Sequence, residues 1–433
     1  MARTDLASRP VPGAEATETS GAYRTYVLII LTLIYAINFL DRQVINILAE
    51  SIKRDLNISD TQLGLLTGTA FGIFYSIMGL PIARLADRKS RVKVITFSLT
   101  LWSGLTAMCG AAQSYAQLFL IRLGVGVGEA GGTPPSQSLI SDYFPRMSRA
   151  TAMAVFNVGV PIGSFLGFLL GGYINDWWGW RMAFVVAGLP GLLLVLLVKF
   201  TIREPIRGAV DGLQGAAAEA PPFRESLSSL LARKSFLWLV FGGTFGIFVV
   251  YVAGAWLPPF FIRVHGMAAS QIGGWIALAV GLGGAIGAFG GGILADMLKR
   301  YSARSEIWVL GASTLLTCPA FLFTVLAGDT GTALAGMFIL YMLAFVWMVP
   351  TSAMIQHVAP VRSRALATGI QLFVANIISL AMGPPLVGLI SDSLAPTMGN
   401  ESLRYALACA AFVPLLGTVS YLMAGRYILR DGE

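Results

Sequence analysis

From residue 24 onward the chain repeats one pattern: a long apolar run, then a short polar break. A bilayer core needs about 20 apolar residues in a helix to cross it. Twelve runs meet that length, at approximately 24–50, 61–84, 93–112, 116–141, 149–174, 180–201, 235–262, 271–297, 306–327, 331–357, 364–391 and 402–428. The pattern predicts an all-α integral membrane protein with twelve transmembrane helices. Between the sixth and seventh runs lies REPIRGAVDGLQGAAAEAPPFRESLSSLLARK, polar and rich in Gly, Ala and Pro. It divides the chain into residues 1–22, a disordered tail; 23–202, a first six-helix bundle; 203–234, a linker; and 235–430, a second bundle.

Composition agrees with this division. Of 433 residues 56% are hydrophobic and 12% charged, against about 25% charged in soluble domains; mean hydropathy is +0.73. The net charge of +8 does not imply nucleic acid, because its placement explains it. One set of alternate loops carries 23 Lys and Arg, the other 5. That bias puts the tail, the linker and both termini in the cytoplasm of a multi-pass protein of the cell (inner) membrane. Cys109, Cys318 and Cys409 all fall in apolar runs, which excludes a disulfide framework or zinc site. The polar N-terminus has no apolar stretch of signal-peptide type.

The halves echo each other. GLPIARLADRKSR ends helix two and GGGILADMLKR ends helix eight; SRATAMAVFNVGVPIGSFLGFLLGGYIND recurs as SRALATGIQLFVANIISLAMGPPLVGLISD. Two such repeats form a transporter architecture with the substrate site between them near the midplane. ADRKSRVK (residues 86–93) resembles the signature loop of the major facilitator superfamily, with Ala83 where that family usually has Gly. RLGVGVGEAGGTPP in helix four and the Gly-Pro pattern of helix five are similar to its spinster-like branch, which is associated with lysophospholipid and sphingolipid transport. NFLDRQVINIL also resembles the first helix of organic-anion/proton symporters of the same superfamily. The resemblance implies the major facilitator fold of two pseudo-symmetric bundles. It further implies a cytoplasmic gate of Asp87, Arg88, Arg91, Asp142 and Arg149. In that gate Asp87 meets helix eleven and Arg91 reaches Asp142, a clasp that closes the inner side and breaks on opening.

Glycines at 159, 163, 167 and 171, and at 283, 287 and 291, recur every four residues. Each set forms a smooth face for a neighbouring helix, suited to packing or sliding. GVGEAG (residues 126–131) has the spacing of a dinucleotide loop but lies within an apolar helix, so that site is rejected. Pro134 and Pro135 predict a kink in helix four.

Four ionisable residues fall inside the predicted spans: Asp41, Arg42, Arg122 and Glu129. At 1.5 Å rise per residue, Asp41 lies roughly 13 Å and Arg122 roughly 9 Å below the outer surface. The matched depths predict that Asp41 pairs with Arg122, with Glu129 two turns deeper. Each charge costs about 2.5–3.5 kcal/mol on insertion scales, so such residues point to ion or substrate paths. The second half offers Tyr251, Trp256, Tyr341, Phe345, Trp347 and Phe373 as an apolar cavity wall, with Gln371 and Asn376 as its polar candidates. A cavity charged on one side and apolar on the other suits an amphiphile. The expected function is therefore proton-coupled secondary transport of an amphiphilic, lysolipid-like substrate by a monomer in contact with membrane lipids. Glu129 is the expected proton carrier. An organic-anion (sugar-acid type) symporter is the alternative. No HExxH, Walker-type loop or activated nucleophile supports an enzyme, and no cofactor or metal is implied.

Overall fold

The computed structural model describes residues 20–208, 210, 223–299, 305–360 and 363–431. Most of the expected tail (1–19), the middle of the linker (209 and 211–222), Arg300, Arg304 and Arg362 lie outside the described residues. Among these residues the chain is helical, without strands. Twelve segments cross the molecule: α1 (Gly21–Leu56), α2 (60–88), α3 (Arg91–Cys109), α4 (115–143), α5 (146–178), α6 (180–201), α7 (Lys234–Val264), α8 (269–299), α9 (Ser305–Leu326), α10 (330–358), α11 (364–398) and α12 (402–431). The side holding both ends of the described chain is called inner here, its opposite outer.

Polar residues at the breaks set where the helices start. Ser20, Ser59, Ser90, Ser114 and Asp329 each accept a backbone N–H from the first turn of the helix they precede. Gly179, at φ 81°, separates α5 from α6 in an otherwise unbroken apolar stretch. Helix α4 breaks one turn earlier than its prolines suggest: the first part ends at Glu129, and Pro134 and Pro135 open the second part at Thr133. Proline is well placed there, since the first turn needs no N–H partner. Three helices contain a π-helical turn: Leu65–Thr69 in α2, Ala279–Gly283 in α8 and Asn376–Ala381 in α11.

The glycine row of α5 packs on α1 within the first bundle; a Cβ on Gly163 would strike the Ala36 backbone. The row of α8 packs on α10 in the same way, at Phe338, Met342 and Val346. Both rows thus serve packing within a bundle.

The bundles meet along α1–α7, α2–α11 and α5–α8. Hydrogen bonds and ion pairs between them cluster toward the outer side, among residues 50–69, 176, 263–270 and 381–392. Large apolar side chains such as Phe97, Leu193, Phe200 and Phe289 are exposed around the perimeter, as a lipid-facing surface requires. Trp177 and Trp178 stand exposed at the outer end of α5, the depth at which aromatic residues mark a membrane interface.

Candidate functional site: a buried charge cluster between two gates

Arg42 of α1 reaches across to α4, where its Nε donates to Glu129 Oε2 at 2.7 Å. The guanidinium is caged by three rings, lying 4.9 Å from the centre of Phe39, 4.8 Å from Phe71 and 4.4 Å from Tyr75. Such cation–π contacts strengthen where water is excluded. Asp41 faces elsewhere and accepts a hydrogen bond from Thr106 of α3 at 3.2 Å. The expected Asp41–Arg122 pair does not form. Matching depth fixed the height of each residue but not its direction around the helix, and consecutive residues point about 100° apart.

The cluster balances two acids against two bases, yet its hydrogen bonding is incomplete. Asp41 and Glu129 have no solvent exposure and Arg122 has 1%. Asp41 Oδ1, Glu129 Oε1, Arg42 Nη2, and Nε and Nη1 of Arg122 nevertheless lack hydrogen-bond partners. An unpaired buried polar group costs about 1–3 kcal/mol. These five atoms mark where the cluster's own side chains leave hydrogen-bonding capacity open.

At the inner end, Arg91 forms the expected ion pair with Asp142. The sequence reading missed a further partner, Glu204, whose Oε1 lies 2.7 Å from Arg91 Nε. Glu204 Oε2 also accepts from Ser90 Oγ at 2.7 Å and Val92 N at 2.9 Å. Residues 201–208 form a strap over this end. Tyr143 donates to the Arg203 carbonyl, Gly208 N donates to Asp142 Oδ1 at 3.1 Å, and Arg207 caps the end of α2 at the carbonyls of Ala86, Asp87 and Lys89. Arg149 donates to the Ser141 carbonyl at 2.6 Å. Arg88 is exposed. Asp87 is exposed as well, and no hydrogen bond or ion pair of its carboxylate is described among these residues. The strap falls on REPIRG, read from the sequence as the start of the polar linker between the bundles.

Burial opposes the charge on Glu204, but the Val92 N–H, the Arg91 guanidinium and the Ser90 hydroxyl outweigh it and hold the carboxyl below its usual range. A depressed acid contributes stability above its unfolded pKa, about 4.3, and loses it as pH falls through the folded value. Glu204→Gln should therefore lower the melting temperature in detergent at neutral pH, and the gap to wild type should close on acidification. A pH-independent gap would place the loss in packing.

The outer end holds a second network. Arg263 of α7 donates to Glu50 Oε2 at 2.5 Å and forks onto Asp60 at 2.7 and 2.8 Å. Lys53 Nζ and Ser391 Oγ add bonds of 2.6 Å to the same Asp60. This joins α1, α2, α7 and α11. The sequence reading counted Lys53 and Arg263 only among the five basic residues of the outer side and did not single out Glu50 or Asp60, which sit where the apolar runs stop.

The expected apolar wall needs correction. Trp256 and Tyr341 are 1% exposed and fill the core of the second bundle, with Trp256 Nε1 donating to the Pro384 carbonyl at 3.0 Å. Phe345 packs toward Gly284, Trp347 is buried beside Gly246, and Phe373 is exposed. Tyr251 is partly buried and donates to Asn376 Oδ1 at 3.1 Å, so this side is more polar than the sequence suggested.

The Major Facilitator Superfamily model matches residues 31–384. An MFS-type efflux pump of Mycolicibacterium smegmatis is 33% identical over 93% of this chain and 92% of its own. Human protein spinster homolog 1 is 28% identical over 94% of this chain and 81% of its own. Among solved structures, a bacterial homologue of the human lysosomal transporter Spinster, in an inward-facing and unoccupied conformation, superposes with a TM-score of 0.86. It is 30% identical and covers 95% of this chain and 99% of its own.

Proposed function

The chain belongs to the major facilitator superfamily and is related to its spinster proteins, and on that premise we propose that it couples protons to the movement of an amphiphilic, lysolipid-like anion by alternating access. The observation that carries this reading is the incompletely paired cluster of Asp41, Arg42, Arg122 and Glu129. Arg42 and Arg122 offer free donors to an anionic head group, and phosphate or carboxylate suits their planar forks. A proton on Glu129 removes the charge that holds Arg42. Binding a proton and binding a head group then act on one guanidinium, which is the coupling a secondary transporter needs. The outer network of Glu50, Asp60 and Arg263 supports reading this arrangement as one shut on its outer side. The inner clasp of Asp87 with α11 belongs to the other half of the cycle, when the outer network has parted. Both termini face the cytoplasm in this reading, as the 23-to-5 bias of basic residues demands.

The Tyr251–Asn376 hydrogen bond and Gln371 give the second bundle polar groups, which favours the organic-anion symporter as the second reading. Purified protein in sealed vesicles separates the two. Labelled lysophospholipid should cross when a pH gradient is imposed and stop when it is collapsed, while a labelled sugar acid does not move. The reverse result establishes the second reading.

A further inference from the structure

The duplicated strings end alike: α5 carries Gly172-Tyr-Ile-Asn-Asp176 and α11 carries Gly388-Leu-Ile-Ser-Asp392. Each aspartate crosses to the other bundle and meets the start of a helix. Asp392 Oδ1 accepts from Asp60 N at 2.9 Å, and its Oδ2 accepts from Thr61 N at 2.8 Å and Thr61 Oγ1 at 2.6 Å. Asp176 Oδ2 accepts from Ser270 N at 2.9 Å. These are the unpaired first-turn N–H groups of α2 and α8, where a carboxylate is favoured by both hydrogen bonding and the helix dipole. The glycine one turn earlier lets each helix start come close. A Cβ on Gly388 would strike the Asp60 backbone, and one on Gly172 would strike Ala269 and Ser270. Asp60 is in turn held by Arg263, so one of the two contacts is built into the outer ion network and the other stands apart from it.

We propose that the two G-x-I-x-D segments are a paired outer latch, in which Asp176 and Asp392 cap helices of the opposite bundle and hold the transporter shut on its outer side. The two caps are repeats of one element, because α5 corresponds to α11 and α2 to α8 under the internal duplication. Opening the outer side pulls each aspartate off the helix it caps, leaving first-turn N–H groups for water to satisfy. The latch rests on the alternating-access reading but not on the identity of the substrate or on protons.

Spin labels at Gln113 and Gly328 report the outer side, and labels at Met147 and His357 the inner, on a background without native cysteines. Losing one cap should raise the outward-open to inward-open ratio about fivefold, the size of a typical helix-cap loss. Asp176→Ala and Asp392→Ala should each lengthen the outer distances and shorten the inner ones, and the double variant should do so further. Gly172→Ala and Gly388→Ala should shift the ratio the same way with every charge intact. Two wild-type populations whose ratio none of the four variants changes would overturn the latch and leave alternating access standing. A single unchanging distance distribution in wild type and variants would overturn both.

Discussion

Glu129→Gln should abolish transport driven by a pH gradient while leaving exchange of labelled for unlabelled substrate intact. Glutamine keeps the shape of the side chain but holds no negative charge at any pH, so it imitates a carrier that never gives up its proton. Arg42 loses the negative charge 2.7 Å away, with a neutral amide oxygen left as acceptor, and keeps the rings of Phe39, Phe71 and Tyr75 around it. Removing one member of a buried pair costs stability, so a lowered melting temperature is expected beside the lost coupling. Asp41 is the competing proton carrier. Arg122 was expected to hold it as an ion, but its described hydrogen bond comes from Thr106. Asp41→Asn therefore belongs in the same experiment. Full gradient-driven transport in Glu129→Gln, with coupling lost only in Asp41→Asn, would move the proton to Asp41.

Arg122→Ala should weaken binding of an anionic substrate about ten- to a hundredfold, the loss of one charge-assisted hydrogen bond of roughly 1.5–3 kcal/mol. Its Nε and Nη1 have no partner, and the ring of Phe71 lies 5.5 Å from its guanidinium. The folded protein gives up packing and the Coulomb attraction of Asp41 and Glu129 when it goes, but neither of these two donors loses a hydrogen bond. A lowered melting temperature, with a weakened binding isotherm in protein that still folds, is the expected pair of results. Arg122→Lys should recover part of the affinity, since it restores the charge but not the planar fork. Unfolding of Arg122→Ala with unchanged affinity in the surviving fraction would make the residue structural.

The fold was legible because crossing a bilayer imposes length and polarity on each helix regardless of its neighbours. The twelve runs and the duplication follow from such local rules, whereas the Arg91–Asp142 pair came from the resemblance of ADRKSRVK to a family loop. What failed depended on direction around a helix. Depth alone joined Asp41 to Arg122, whereas the geometry joins Arg42 to Glu129. Trp256 and Tyr341 looked like cavity lining because a uniformly apolar helix does not declare which face meets lipid, core or cavity. Glu50, Asp60 and Arg263 were passed over because charges where apolar runs end are ordinary. Their joint meaning appears only when α1, α2 and α7 are brought to one place. Glu204 was hidden in the same way, in a strap that sequence composition marks as a linker.

The central claim is that proton and substrate movements are coupled through the Arg42–Glu129 pair. Its most direct measurement is proton flux into sealed vesicles carrying a pH-sensitive dye, with a lysophospholipid gradient as the only driving force. Wild-type protein should change the internal pH as substrate moves, and Glu129→Gln should move substrate by exchange without any pH change. Net substrate movement by the wild type with no proton flux would contradict the account.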